Sequence, residues 1–213
     1  MAIAGRKAQV KVAGALVAFT NEPTTAVTPL VDYQVTNAVK RVWDRSMTPT
    51  VQVSTDGGTT YPTVSASLYT INRLTGTVTF APALTGSPLV RVSGSYLPLS
   101  VVAEASEYSY SLTAKNADYP RLGDVYATRV QTLKDVSGSL SRWYAADPYF
   151  TNALTGETPV LLEFYASSAS APDLRCWAVV NKEEIKAALD GLTETTVSWE
   201  GASDTEGRSI SVV

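Results

Sequence analysis

Histidine is absent from the 213 residues, and cysteine occurs once, as Cys176. The first absence removes the commonest general base, the commonest metal ligand and every histidine-dependent triad. A single cysteine nearly excludes a zinc site and forbids an internal disulfide framework. A chain without covalent staples points to a reducing cytoplasm. Charge is sparse as well: 17% of residues are charged, against about a quarter in ordinary soluble domains. No stretch approaches the roughly 18 apolar residues that cross a bilayer. The opening Met1-Ala2-Ile3-Ala4-Gly5-Arg6-Lys7 has no apolar segment of signal-peptide length. These features predict a soluble chain that is neither inserted in a membrane nor exported by a classical route.

Catalytic patterns are equally scarce. Without histidine only a Ser–Lys pair is open to nucleophilic catalysis, and no serine stands three residues before a lysine. Cys176, between Arg175 and Trp177, reads as a small core residue. The candidate acid–base carboxylates are Glu104 with Glu107, Glu183 with Glu184, and Glu163. Glu163 lies on an apolar strand where Arg175 of a partner strand can neutralise it, and Glu183-Glu184 reads as a solvated face. Asp56-Gly57-Gly58-Thr59 is a glycine turn with no phosphate-binding fingerprint after it. Lys40-Arg41 and Arg45 around Trp43 fit a hairpin shoulder or subunit contact better than a nucleic-acid patch. No catalytic, cofactor-binding or metal residue is predicted.

What is abundant is strand-forming. Val, Thr, Tyr and Ile supply 66 residues, the types that suit a pleated, half-buried sheet. Net charge is −3 but uneven: residues 1–100 carry 8 basic and 4 acidic side chains, residues 101–213 carry 9 and 16. If the halves occupy different faces, copies can meet head to tail with opposite potentials.

Strand signals recur along the chain. Ala8–Val12 alternates, breaks at Gly14 and resumes to Phe19, which predicts an opening hairpin. Residues 21–29 read as a loop, and Val31, Tyr33 and Val35 share a strand face running towards Trp43. Lys40–Pro98 reads as a β-hairpin excursion, with turns at Asp56-Gly57 and, between Leu68–Ile71 and Thr77–Phe80, at Asn72–Gly76. Ser106–Leu112 alternates strictly: Tyr108, Tyr110 and Leu112 on a packed face, Glu107, Ser109 and Ser111 on a wet one. Val125–Leu133 and Ser137–Trp143 read as two strands. A helix is predicted from Asp147 and Pro148 through Phe150, Ala153 and Leu154 to Gly156. Lys182–Gly191 has helical spacing at Ile185, Ala188 and Leu189 but strands for neighbours, so helix and strand both stay open. Pro159–Tyr165 and Leu174–Val180 form an antiparallel pair across a turn at 167–172. Thr195–Trp199 and Ile210–Val212 complete the sheet.

This order of features resembles the major tail tube proteins of long-tailed, siphovirus-type bacteriophages. The residues that carry the likeness are Ala4-Gly5-Arg6-Lys7 leading into Ala8–Val12, Lys40-Arg41-Val42-Trp43, Leu68–Ile71 with Gly76–Phe80, and Ser137–Leu140. The helix from Asp147, the strand Val160–Tyr165 and Val197–Gly201 complete it. The resemblance implies one β-sandwich or barrel-like domain over 1–213 with a short flanking helix. It also implies hexameric rings whose inner strands join into a barrel, stacked into a channel for DNA delivery. Stacking would use the 1–7 arm and the 40–98 excursion, with Arg6, Lys7, Arg41, Trp43, Asn72, Arg73 and Leu74 at subunit interfaces. Deleting Asn72–Gly76, or replacing the arm, would then stop polymerisation and leave a folded monomer. Partners implied are further copies of the chain and tape-measure, tail-tip and tail-terminator proteins. DNA would transit without specific binding, repelled by a ring charge of six times −3, or −18. The location implied is the virion tail, after assembly in the host cytoplasm. Two other readings remain: another virion part (neck, terminator or decoration protein), or a carbohydrate-binding β-sandwich presenting Trp43 or Trp143.

Overall fold

Alternation of Val, Tyr and Ile with Ser and Thr becomes, in the computed structural model, a mainly β architecture with one short α-helix. The structure describes residues 8–102, 105–119, 126, 129–143, 147–167, 171–187 and 192–212. Among them the strands are, in chain order, β1 (Gln9–Ala13), β2 (Val17–Thr28), β3 (Asp32–Val35), β4 (Thr50–Ser54), β5 (Tyr69–Asn72), β6 (Thr77–Phe80) and β7 (Leu89–Tyr96). The chain continues with β8 (Leu99–Val101), β9 (Ala105–Asp118), β10 (Arg129–Trp143), helix α1 (Tyr149–Thr155), β11 (Val160–Tyr165), β12 (Leu174–Lys186), β13 (Glu194–Ala202) and β14 (Ile210–Val212).

Two curled sheets result. The larger has the order β8-β1-β11-β12-β13-β10-β9, with β14 also on β12. The smaller has the order β4-β7-β2-β3-β6-β5. The predicted opening hairpin does not form. β1 pairs with β8 and β11, whereas β2 pairs with β3 and β7. Gly14 is where the chain leaves one sheet for the other, and its N–H bonds the Pro98 carbonyl at 2.7 Å, where the chain returns. The 40–98 segment holds β4–β7 and the Asn72–Gly76 hairpin as read, but its sheet also takes in β2 and β3, so this layer begins at Val17. Residues 129–133 of the first predicted strand and the whole of the second, 137–143, belong to one strand, β10, whose interruption is a register shift between Gln131 and Lys134; residues 125, 127 and 128 lie outside the described set. Residues 182–186 are strand: they pair with β13 from Lys182↔Ser198 to Lys186↔Glu194 after a bulge. That ladder overrides the helical spacing; residues 188–191 lie outside the described set.

Each sheet closes on its own core. In the larger, Val10, Val12, Leu162, Phe164, Cys176, Val180, Val197 and Trp199 pack together, with Phe150 and Ala153 of α1 as a lid. In the smaller, Phe19, Tyr33, Trp43, Val51, Ile71, Phe80 and Val92 do so. Each such side chain, fully buried, contributes about 1.5–3 kcal/mol. The α1 signals acted nearly as read: Asp147 accepts from the Tyr149 N–H at 3.0 Å, and the Gly156 N–H returns to the Asn152 carbonyl at 2.9 Å.

β11 explains how the layers meet. All six of its residues are buried, because Val160, Leu162 and Phe164 face the first core while Leu161 joins Trp177, Ala13, Val42 and Leu74 on the other side. Arginines stitch this seam. Arg73 donates to the Met47 carbonyl at 2.9 and 2.7 Å and pairs with Asp204 at 3.8 Å and with Glu206. Arg45 reaches the Ser203 carbonyl at 2.5 Å, Arg208 bonds the Ile71 carbonyl, and Arg175 bonds that of Leu74. The turn requires Gly76, which sits at φ 64°, where an added Cβ would lie 2.7 Å from the Arg41 backbone.

Arg73→Ala leaves the fully buried Asp204 carboxyl beside an empty site, so unfolding free energy falls by about 3 kcal/mol, read as a lower urea midpoint at unchanged slope. An unchanged midpoint contradicts the clamp. Burial pushes the Tyr149 hydroxyl up to about 12, with the Asp147 charge adding to it. Burial, then its hydrogen bond to Glu163, raises Tyr165 as well. Unfolded, both titrate near about 10. Above that pH the folded state keeps protons that the unfolded chain has lost, so stability holds below pH ~10 and declines up to ~12. Tyr149→Phe flattens this decline; a slope as steep as before rules out that source.

Candidate functional site

The chemical candidates resolve into packing and ion pairs. Cys176 is fully buried, and burial pushes its thiol up to about 12. Glu163 lies opposite Arg175 as expected; Arg175 Nε donates to it at 2.7 Å and the Tyr165 hydroxyl at 2.6 Å. Glu183 accepts from Thr151 at 2.6 Å and faces Arg142 at 3.9 Å, while Glu184 pairs with Lys182 at 2.6 Å. Glu104 lies outside the described residues. Among the described residues no group of three or more Asp, Glu or Cys side chains is placed to hold a metal ion.

What stands out instead is a wall. Strands β12, β13, β10 and β9 form a four-stranded sheet that extends beyond the core. Register assigns its faces: Leu140↔Tyr108, Gly138↔Tyr110 and Val136↔Leu112 lie on the core side, as do Val197 opposite Leu140 and Trp199 opposite Gly138. Trp199 needs Gly138, where a Cβ would come within 2.6 Å of its ring. Tyr108 and Tyr110 pack against Phe164, with centroids 5.1 and 5.4 Å away, so the strict alternation was read correctly at the base of β9. Further along, core runs out: Leu112 is 49% exposed, Leu133 69% and Ile185 57%.

The other face of the wall is polar. Ser109 and Ser139 share a 3.0 Å hydrogen bond across strands, and Ser141 and Thr196 one of 3.2 Å. Register adds Ser111, Ser137 and Ser198 to the hydroxyl rows. Charges on this face are Glu107, Asp135, Glu184, Glu194 and Glu200 against Lys115, Lys182 and Lys186, an excess of two negatives.

Both margins of the wall lack a strand partner among the described residues. Among the described residues β9 pairs only with β10. β12 pairs with β11 up to Ala178, and beyond that with β13 alone. Unpaired ladder groups on a long, low-charge strand invite another chain; β9 carries Glu107, Lys115 and Asp118 and no charge from Tyr108 to Ala114.

The interface residues inferred from sequence fall elsewhere. Trp43 is fully buried, its indole N–H on the Lys40 carbonyl at 2.9 Å. Arg73 is 2% and Leu74 0% exposed, and Asn72 caps the turn by accepting from the Leu74 N–H at 3.1 Å. Arg73 and Leu74 belong to the seam between layers and Trp43 to the core of the smaller sheet, so deleting Asn72–Gly76 removes the clamp instead of freeing a folded monomer. Arg41 is half-buried and bonds the Val35 carbonyl at 2.8 Å. Arg6 and Lys7 lie outside the described residues. The wall itself was missed as an edge, because alternation marks faces and carries no mark of where a sheet stops.

Neither a family model nor a curated protein matches the chain.

The thiol supplies the check on the chemical reading. In the folded protein Cys176 stays unmodified by a maleimide at pH 8 for hours and reacts within minutes in denaturant. Rapid native labelling contradicts its placement in the core.

Proposed function

We propose that this chain is a structural subunit that assembles with identical copies into rings and stacked tubes, acting as the tail tube of a long-tailed phage. One observation carries the reading: a wall of four long strands whose two margins find no strand partner among the described residues, β9 on one side and residues 181–186 of β12 on the other. The two margins differ, so their pairing is heterologous, and a heterologous contact closes into a ring when its rotation completes a circle. Six copies would join about 24 strands. At ~4.8 Å spacing and ~40° tilt this gives a barrel roughly 48 Å across between backbones, wide enough to pass a DNA duplex. The hydroxyl-lined face with its excess of carboxylates suits such a lumen, since phosphates meet few cations there. The partly exposed Leu112 and Ile185 become subunit contacts.

Of the other readings, the sugar-binding one loses Trp43, which is interior; Trp143 stays 40% exposed. Another virion part fits the same margins and differs in whether rings stack.

Purified protein, concentrated and viewed by negative-stain microscopy, forms tubes. Thr113→Lys with Ala117→Lys places two more charges along β9; this variant keeps the thermal midpoint within about 3 °C and sediments as a monomer. Tubes formed equally well by the double variant contradict pairing through β9. Wild-type rings that never stack would favour a neck or terminator role.

A further inference from the structure

Away from the wall, the seam between the two layers opens into a cleft of about 440 Å³. Its walls come from both sheets: Lys11, Leu99, Glu163, Tyr165 and Arg175 from the larger, Gln34, Arg41, Val42 and Thr75 from the smaller side, with Val39 of the short 3-10 turn Ala38–Lys40 at the rim.

The charge balance of this cleft is uneven. Three cations line it and one carboxylate, Glu163. Glu163 is 1% exposed and already consumed: Arg175 binds it through Nε and Nη2, and Tyr165 donates to its other oxygen at 2.6 Å. Arg175 spends its remaining arm on the Leu74 carbonyl. Lys11 and Arg41 are left with neutral partners among the described residues. Lys11 Nζ donates to the Tyr165 hydroxyl at 3.1 Å and lies 4.5 Å over that ring. Arg41 donates Nε to the Val35 carbonyl at 2.8 Å and Nη2 to that of Thr36 at 3.3 Å. Lys11 therefore keeps two N–H groups, and Arg41 keeps its Nη1 pair, for something else.

We propose that this cleft binds a small anion, a carboxylate or phosphate bearing a short apolar portion, held between Lys11 of one layer and Arg41 of the other. The anionic group takes the unspent donors, whose hydrogen bonds are charge-assisted. The apolar portion lies against Val39, Val42 and Leu99. The volume falls within the roughly 300–1,000 Å³ of small-molecule sites. Because the two cations sit on different layers, bound anion ties the layers together and stabilises the fold by mass action. The buried Glu163–Arg175 pair fixes the floor.

Hexanoate and hexyl phosphate, titrated by calorimetry at constant ionic strength into the full-length protein, distinguish the two head groups. At least one binds saturably with one site per chain and raises the thermal midpoint. Lys11→Met and Arg41→Met each weaken that binding about tenfold or more, and Arg41→Lys restores it to within about threefold, with circular dichroism confirming that each variant is folded. The Lys11 side chain bonds the Tyr165 hydroxyl and no backbone carbonyl, so its variant keeps the test alive if Arg41→Met fails to fold. Absence of saturable binding by both probes up to millimolar concentration overturns the proposal. So does affinity unaltered by Lys11→Met.

Discussion

A backbone amide in a sheet needs a partner on the side to which it points, and β9 offers a whole row that finds none among the described residues. The rest of the architecture follows from how that row is kept straight and available. β9 is held in register by β10 over twelve residue pairs, and β10 by β13. The sheet is pinned at its base by the stack of Tyr108, Phe164 and Trp199 over Gly138. The base is rigid because it is core; the far part is exposed because core ends there.

The second layer bears on this through the seam. β11 and the first half of β12 are buried on both sides, one by α1 and the first core, the other by the smaller sheet. Four arginines hold the joint: Arg45, Arg175 and Arg208 reach carbonyl groups across it and Arg73 reaches the carboxylates of Asp204 and Glu206, contacts that an apolar interface alone would not orient. A buried arginine is costly unless every carboxylate and carbonyl it meets is placed for it. Here the turn around Asp204 is organised by that carboxylate, which accepts from the N–H groups of Glu206 and Arg208 at 3.0 and 2.8 Å. The anion cleft is the same seam where two cations find no carboxylate.

Local chemistry made part of this legible. The Asn72–Gly76 turn, the Asp147-to-Gly156 helix and the Glu163–Arg175 cross-strand pair were readable, because each depends on residues close in sequence or on one pair of adjacent strands. Partner choice was not. Gly14 looks like a hairpin turn but marks a crossing between sheets, and nothing near it names β8 and β11 as the partners of β1. Trp43 among Lys40, Arg41 and Arg45 looks like a surface patch. It is buried because the segment after it folds back over the ring, a consequence of contacts some fifty residues away with Tyr96. Residues 182–186 have helical spacing in isolation and are strand because β13 extends beside them. The open margins leave no sequence mark, since an unpaired strand and a paired one carry the same alternation.

Hydrogen exchange of the β9 amides, compared between dispersed and assembled protein, tests the central claim most directly. The account predicts that the amides within Ala105–Asp118 and Lys182–Lys186 that point away from β10 and β13 exchange readily in the dispersed state and become protected together on assembly. Particles or filaments in which both segments exchange as fast as in the dispersed chain would contradict it.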